Sequence, residues 1–172
     1  FRIGLEPHKS FLIVQASDDQ ARDSAAQVAD LIAKNPGWRM VFPDVRPDRA
    51  AGWGAAGYEV RRMNMEYGAW RALCAAERGK DPTLVGLGYQ SRGVVGKHPT
   101  GMLVVDDIHE ECNTESQREL ARVIQSLTGT ILPTVTPDTW QVFVGTPWRA
   151  NDALAYLKQT GRFRAVKTPI AR

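Results

Sequence analysis

Two adjacent carboxylates, Asp106 and Asp107, close the apolar run Met102-Leu103-Val104-Val105. Paired acids can divide two tasks: one holds a divalent cation while the other orients or deprotonates a water. An unbroken apolar run reads as a strand buried on both faces. Acids ending such a strand sit at the carboxyl edge of a parallel sheet, where open α/β folds bind ligands. This is the form of a Walker B element, a dry strand that brings one carboxylate to Mg²⁺ and a second to the attacking water. The plain alternative is a buried strand ending in a solvated Asp-Asp turn.

Other groups compete for attention. Ser91 to His98 nearly spells the phosphate loop G-x-x-x-x-G-K-[ST], but Ser91 stands at the first glycine and His98 at the final hydroxyl. That loop needs a helix directly after it, so that backbone N–H groups face the phosphate. Here His98-Pro99-Thr100-Gly101 leads into a strand instead. The stretch is therefore read as no phosphate loop, and no other match to the motif occurs in the chain. His109-Glu110-Glu111-Cys112 invites a metal, but consecutive side chains diverge and the H-E-x-x-H spacing is missing. It reads as a solvated polar loop. Arg61, Arg62, Lys97 and His98 could meet DNA, though scattered basic residues also suit a plain surface.

The elements that must position the acid pair follow from periodicity. Phe11 to Gln15 reads as a buried strand, then Ser17 or Asp18 caps a helix carrying Ala21, Ala25, Val28, Leu31 and Ile32 on one face. That helix should stop near Asn35-Pro36-Gly37. Residues 36 to 56, rich in proline and glycine, read as a long irregular connection. A short strand is expected over Tyr58 to Met63, a helix over Met65 to Arg78 and a strand over Thr83 to Gly88. After the acids, Thr114 or Ser116 caps a helix to about Leu127. Trp140 to Gly145 reads as another buried strand, and Asn151 as the cap of a last helix from Asp152 to about Gln159, ended by Gly161. A short strand is expected near Phe163 to Val166. Strands alternating with helices imply an α/β fold with a mostly parallel sheet and flanking helices. A single domain over residues 1–172 is expected.

Composition sets the outer bounds. With 172 residues, 43% of them hydrophobic and 24% charged, the chain is globular in character and long enough for a real core. A net charge of +3 permits contact with nucleic acid without demanding it. Two cysteines make no disulfide framework, and no apolar run reaches membrane-spanning length. The chain opens on Phe1 rather than methionine, which reads as a processed chain or a fragment.

The order of these segments resembles the ATPase domain of the large terminase subunit, the motor that packages DNA into tailed-phage heads. Phe11-Leu12-Ile13-Val14-Gln15-Ala16-Ser17 with Gln20-Ala21 is similar to the strand and helix that follow the Walker A helix there. Leu103-Val104-Val105-Asp106-Asp107-Ile108, then Asn113 and Ser116, resembles the Walker B of terminases with Asp-Asp where others have Asp-Glu. Val142-Phe143-Val144-Gly145-Thr146-Pro147-Trp148, then Asp152, resembles their coupling motif, and Arg92-Gly93 an Arg-Gly segment ahead of the Walker B strand. The resemblance spans roughly residues 11 to 160. Two expected pieces are absent: the Walker A segment, placed upstream of Phe1, and a nuclease domain after residue 172.

What the resemblance implies is a P-loop NTPase core of the ASCE type, incomplete at its N-terminus. Its cofactors would be ATP and Mg²⁺, with Asp106 on the metal and Asp107 on the attacking water. Gly145 and Thr146 would line the nucleotide site, with Thr146 sensing the γ-phosphate or else simply capping the strand-end turn. Arg92 would serve as an arginine finger toward a neighbouring subunit, a charge worth about 10³–10⁵ in rate, or else be a solvated loop arginine or a DNA-phosphate contact. Partners would be double-stranded DNA, the portal protein, the small terminase subunit and other copies in a ring. The work would be done in the host cytoplasm, docked on the procapsid, with no membrane involved. Two other functions fit the residues. Asp106-Asp107-Ile108-His109 is similar to the D-E-x-H of superfamily 2 helicases and translocases, with Gly145-Thr146-Pro147 in place of S-A-T. A non-catalytic α/β binding module, its phosphate loop lost, is the third.

Overall fold

The computed structural model describes residues 1–166. A short helix, α1 (Arg2–Leu5), leads into β1 (Phe11–Gln15) and the long α2 (Asp18–Lys34). Then come α3 (Pro36–Val41), β2 (Val45–Pro47), β3 (Trp53–Gly54), β4 (Gly57–Tyr58), β5 (Val60–Arg62), α4 (Tyr67–Arg78) and β6 (Leu84–Gly88). The second half holds β7 (Met102–Asp106), α5 (Glu111–Thr114), α6 (Gln117–Ser126), β8 (Trp140–Val144) and α7 (Ala153–Gln159). Residues 36 to 56, expected to be irregular, thus carry one short helix and two short strands. The expected strand over Tyr58 to Met63 breaks into β4 and β5, and none forms over Phe163 to Val166.

Six strands form one sheet in the order β3-β4-β6-β1-β7-β8, while β2 and β5 pair apart from it. β6, β1, β7 and β8 run parallel, and β4 closes one side antiparallel to β6. The fold is therefore α/β with a mostly parallel sheet and flanking helices, as the alternation of elements required.

Register sorts the side chains onto two faces. Leu12 and Val14 of β1 lie level with Leu103 and Val105 of β7, and these with Gln141 and Phe143 of β8. That face packs against Val123 of α6, Leu157 of α7 and the irregular helical turns at Leu127 and Ile131. On the opposite face, Phe11 of β1 and Leu84 of β6 pack against Ala25 and Ile32 of α2. Ser17 caps α2 by accepting the Gln20 N–H, and Asp18 instead accepts the Gly88 N–H at 2.7 Å. Gly86 and Gly88 admit this close approach: a Cβ on Gly86 would stand 1.9 Å from the Ala21 carbonyl oxygen.

The two strands expected to be buried on both faces are not. β7 alternates, with Leu103 and Val105 buried but Met102, Val104 and Asp106 only half-buried. β8 is the edge strand, and Trp140 and Val144 are 59% and 53% exposed. The reason is coverage: α2 lies over β6 and β1, while the same face of β7 and β8 is reached only by the short α1, whose Arg2 guanidinium stands 4.9 Å from the Trp140 ring among the described residues. Leu31, expected on the buried face of α2, is 46% exposed for lack of a neighbour there.

Candidate functional site

Asp106 is the last residue of β7 and pairs in register with Val144 of β8. Asp107 leaves the strand with φ +40°, the only non-glycine described with positive φ. Such a backbone is uncommon for an L-residue, and it clusters at functional sites. It lets the Asp107 N–H still reach the Val144 carbonyl at 3.1 Å while its side chain turns to solvent. Two acids on one strand end are thus sent in different directions, one half-buried over the sheet and one free.

Asp106 is held from behind. The Gln15 amide donates to Asp106 Oδ2 at 3.0 Å, and Gln15 Oε1 accepts from Ser24 Oγ of α2 at 2.8 Å. A carboxylate only accepts, so the Gln15 NH₂ must face it, and the Ser24 hydroxyl then fixes the other end. Burial pushes the Asp106 carboxyl above its ordinary range, the Asp107 charge adds to this, and the Gln15 donor pulls it partly back. Sequence reasoning missed Gln15 and Ser24. The available signal was a polar residue ending an otherwise apolar strand beside the acid-bearing one.

Gly145 and Thr146 follow β8 at the same edge of the sheet. A Cβ on Gly145 would lie 3.4 Å from Asp107 Oδ1, so the two strand ends are in contact. Thr146 is exposed. The chain then turns back into α7, whose cap is the fully buried Asp152 rather than Asn151. Asp152 Oδ1 accepts the Ala155 N–H at 2.9 Å, and Oδ2 accepts the Trp148 N–H at 2.8 Å. One carboxylate therefore ties the Thr146-Pro147-Trp148 turn to the helix start. Asn151 bonds to Gln117 instead.

His109 is a correction. It was expected in a solvated loop, but it is 6% exposed. Its Nε2 accepts the Ala153 N–H at 2.9 Å, which places the ring proton on Nδ1, 3.3 Å from Asn113 Oδ1. Asn113 in turn holds the Ile108 carbonyl and the Glu110 N–H. The loop after the acid pair is thereby bonded to the first residue of α7.

Arg92 stands apart. It lies in a single helical turn, Arg92–Val94, beyond the end of β6, and β1 separates β6 from β7. It is exposed and bonds to neither acid. Lys97 and His98 belong to the opposite edge of the sheet. Lys97 pairs with the buried Asp81 at 3.1 Å, and the His98 N–H donates to the same carboxylate. This pairing gives the Lys97 ammonium a carboxylate partner within the chain.

Among the described residues, no three His, Cys, Asp or Glu side chains converge into a metal cage. Asp106, a single oriented carboxylate, fits Mg²⁺, which keeps several waters and takes phosphate oxygens as its remaining ligands. No described helix is long and apolar enough to cross a membrane.

Fold and site together define an α/β protein with a carboxylate pair at the carboxyl edge of a parallel sheet, wired to the turn after the neighbouring strand. Compared with known proteins, the chain matches no family model and no curated sequence.

Proposed function

We propose that the chain is part of the ATPase motor of a tailed-phage large terminase, coupling ATP hydrolysis to translocation of double-stranded DNA into a procapsid. The observation that carries this reading is the adjacency of two strand ends: Asp106-Asp107 after β7, and Gly145-Thr146 after its parallel neighbour β8. Asp106 holds Mg²⁺ through water, and Asp107 acts on the attacking water. Thr146 senses the γ-phosphate and passes that state through Asp152 to α7. In this reading a strand carrying a phosphate loop docks beside β8, which is the last strand of the sheet among the described residues and leaves Trp140 and Val144 largely exposed. In this P-loop NTPase reading the motor works with portal protein, small subunit and DNA, in a ring of copies on the procapsid in the host cytoplasm. Arg92, exposed and bonded to neither of its own acids, serves a neighbouring subunit.

A second reading has one observation in its favour. The His109–Ala153 bond physically joins a D-D-I-H segment to the first residue of α7, the helix that follows β8, a link that suits a superfamily 2 helicase or translocase. Strand separation by the intact protein, without any procapsid, would select it.

The test of the motor reading is a pair of substitutions in the intact protein. Asp107→Asn keeps ATP binding and lowers hydrolysis by about 10²-fold or more. Asp106→Ala weakens Mg²⁺-dependent nucleotide binding. The 172 residues alone release negligible phosphate from ATP. Unchanged turnover in Asp107→Asn would remove the acid pair from the chemistry.

A further inference from the structure

A second charged feature lies outside the acid site, on the small β2–β5 ribbon. Arg46 and Arg61 are directly opposed in its antiparallel register. Val45 and Val60, one residue before each, are buried, so both arginines stand on the outer face. Like charges facing across a strand pair repel and are normally avoided or bridged by an acid. Here no carboxylate pairs with either guanidinium among the described residues. Arg46 Nη1 and Arg61 Nε are shielded from solvent without a hydrogen-bond partner.

Glu59 is bonded to the buried Arg78 and to Thr83. Asp48 Oδ1 accepts the Ala51 N–H inside its own turn, and its Oδ2 is shielded from solvent without a hydrogen-bond partner. Arg61 is held in place by the Tyr67 ring, 4.8 Å from its guanidinium carbon. Both arginines are half-buried, and besides the shielded atom each guanidinium keeps nitrogens that are open to solvent, with no carboxylate in ion-pair contact among the described residues.

We propose that Arg46 and Arg61 form a phosphate clamp that takes the backbone of duplex DNA. Guanidinium forks match phosphate oxygens in bidentate geometry, and a pair of them suits a polyanion better than a lone ion. Arg49, exposed on the adjoining turn and 6.0 Å from the Trp53 ring, extends the cationic strip along the same ribbon. The ribbon packs on the face of α2 nearer the start of the strands, so the clamp lies away from the acid pair and leaves it free. The choice of duplex rests on the DNA-motor reading.

The test measures anisotropy of a fluorescent 20-base-pair duplex of mixed sequence against the chain across a salt series, with Mg²⁺-nucleotide binding by the intact protein followed in parallel. Each of Arg46→Ala and Arg61→Ala is expected to weaken binding about tenfold. Each should also reduce the slope of log K against log salt by about 0.9. Arg118→Ala, the same charge loss on the exposed face of α6, should change neither by as much. If an alanine variant melts early, Arg46→Lys and Arg61→Lys carry the test: the salt slope stays and the affinity falls, because charge remains and the fork is lost. Wild-type affinity and slope in the double alanine variant would overturn the clamp and leave the motor reading standing. A wild-type chain that binds no duplex would also overturn it, and retained nucleotide binding in the intact protein would show that the acid site survives that failure.

Discussion

The two sides of the sheet are finished differently. On the β6 side, the short antiparallel β3–β4 hairpin closes the edge, α2 covers one face, and Gly86 and Gly88 let helix and strand meet at backbone distance. On the β8 side the outer edge has no partner strand among the described residues, Val142 is half-buried, and Trp140 and Val144 face out. Parallel sheets are ordinarily covered on both faces. The contrast teaches that exposure at β8 is a property of place, since its Trp-Gln-Val-Phe-Val sequence is as apolar as that of a core strand. An apolar, unpaired strand one step from the carboxylate pair is where another element has most to gain by docking.

The sharpest way to break the comparison is a matched truncation on each side of the boundary. Leu103→Ala, on the fully buried face of β7, should cost about 2–5 kcal/mol in denaturant unfolding. Val144→Ala at the open edge should change stability by less than about 0.5 kcal/mol. Equal losses would mean that β8 is covered in solution. An intermediate effect is expected where the two strand ends are tied together. His109→Ala leaves the Ala153 N–H without its acceptor and should cost about 1–3 kcal/mol. Amide exchange should accelerate first at Ala153 and Leu154, and uniform acceleration over the whole chain would refute a local tie.

The smallest effect concerns pH. Burial lifts the folded-state pKa of Asp106 above its unfolded value, so the folded protein favours the protonated acid. Below the unfolded carboxylate range both states are protonated and nothing is lost. As pH rises through the folded pKa, the desolvated charge comes to oppose folding in full. Asp106→Asn should therefore melt slightly above wild type at pH 7, and the advantage should vanish below about pH 4. An advantage that grew on acidification would reverse the assignment.

Much of this arrangement was legible in the sequence because it depends on local periodicity. β1, α2, β6, β7, α6 and β8 fall where apolar spacing and caps place them, and Ser17 and Ser116 cap as their types suggest. The failures have a common cause. An apolar strand reads the same whether its neighbours cover it or not, so the half-covered β7 and the edge position of β8 were invisible. The helix α3 is started by the Asn35 side chain and anchored by Trp38, whose indole donates to the Val45 carbonyl. That anchor needs the tertiary fold before it counts. His109 was misread for the same reason: its burial comes from α7, far along the chain.

The left-handed backbone at Asp107 also speaks to which acid can occupy the position. Aspartate and asparagine tolerate this conformation better than longer side chains, because a short polar group can bond to its own backbone. A glutamate there would bring a longer reach together with a conformational penalty. The choice between two chemically equivalent acids is then made by a torsion angle. Among substitutions that keep the fold, position 107 should be confined to aspartate, asparagine and glycine, and only the first of these keeps the charge.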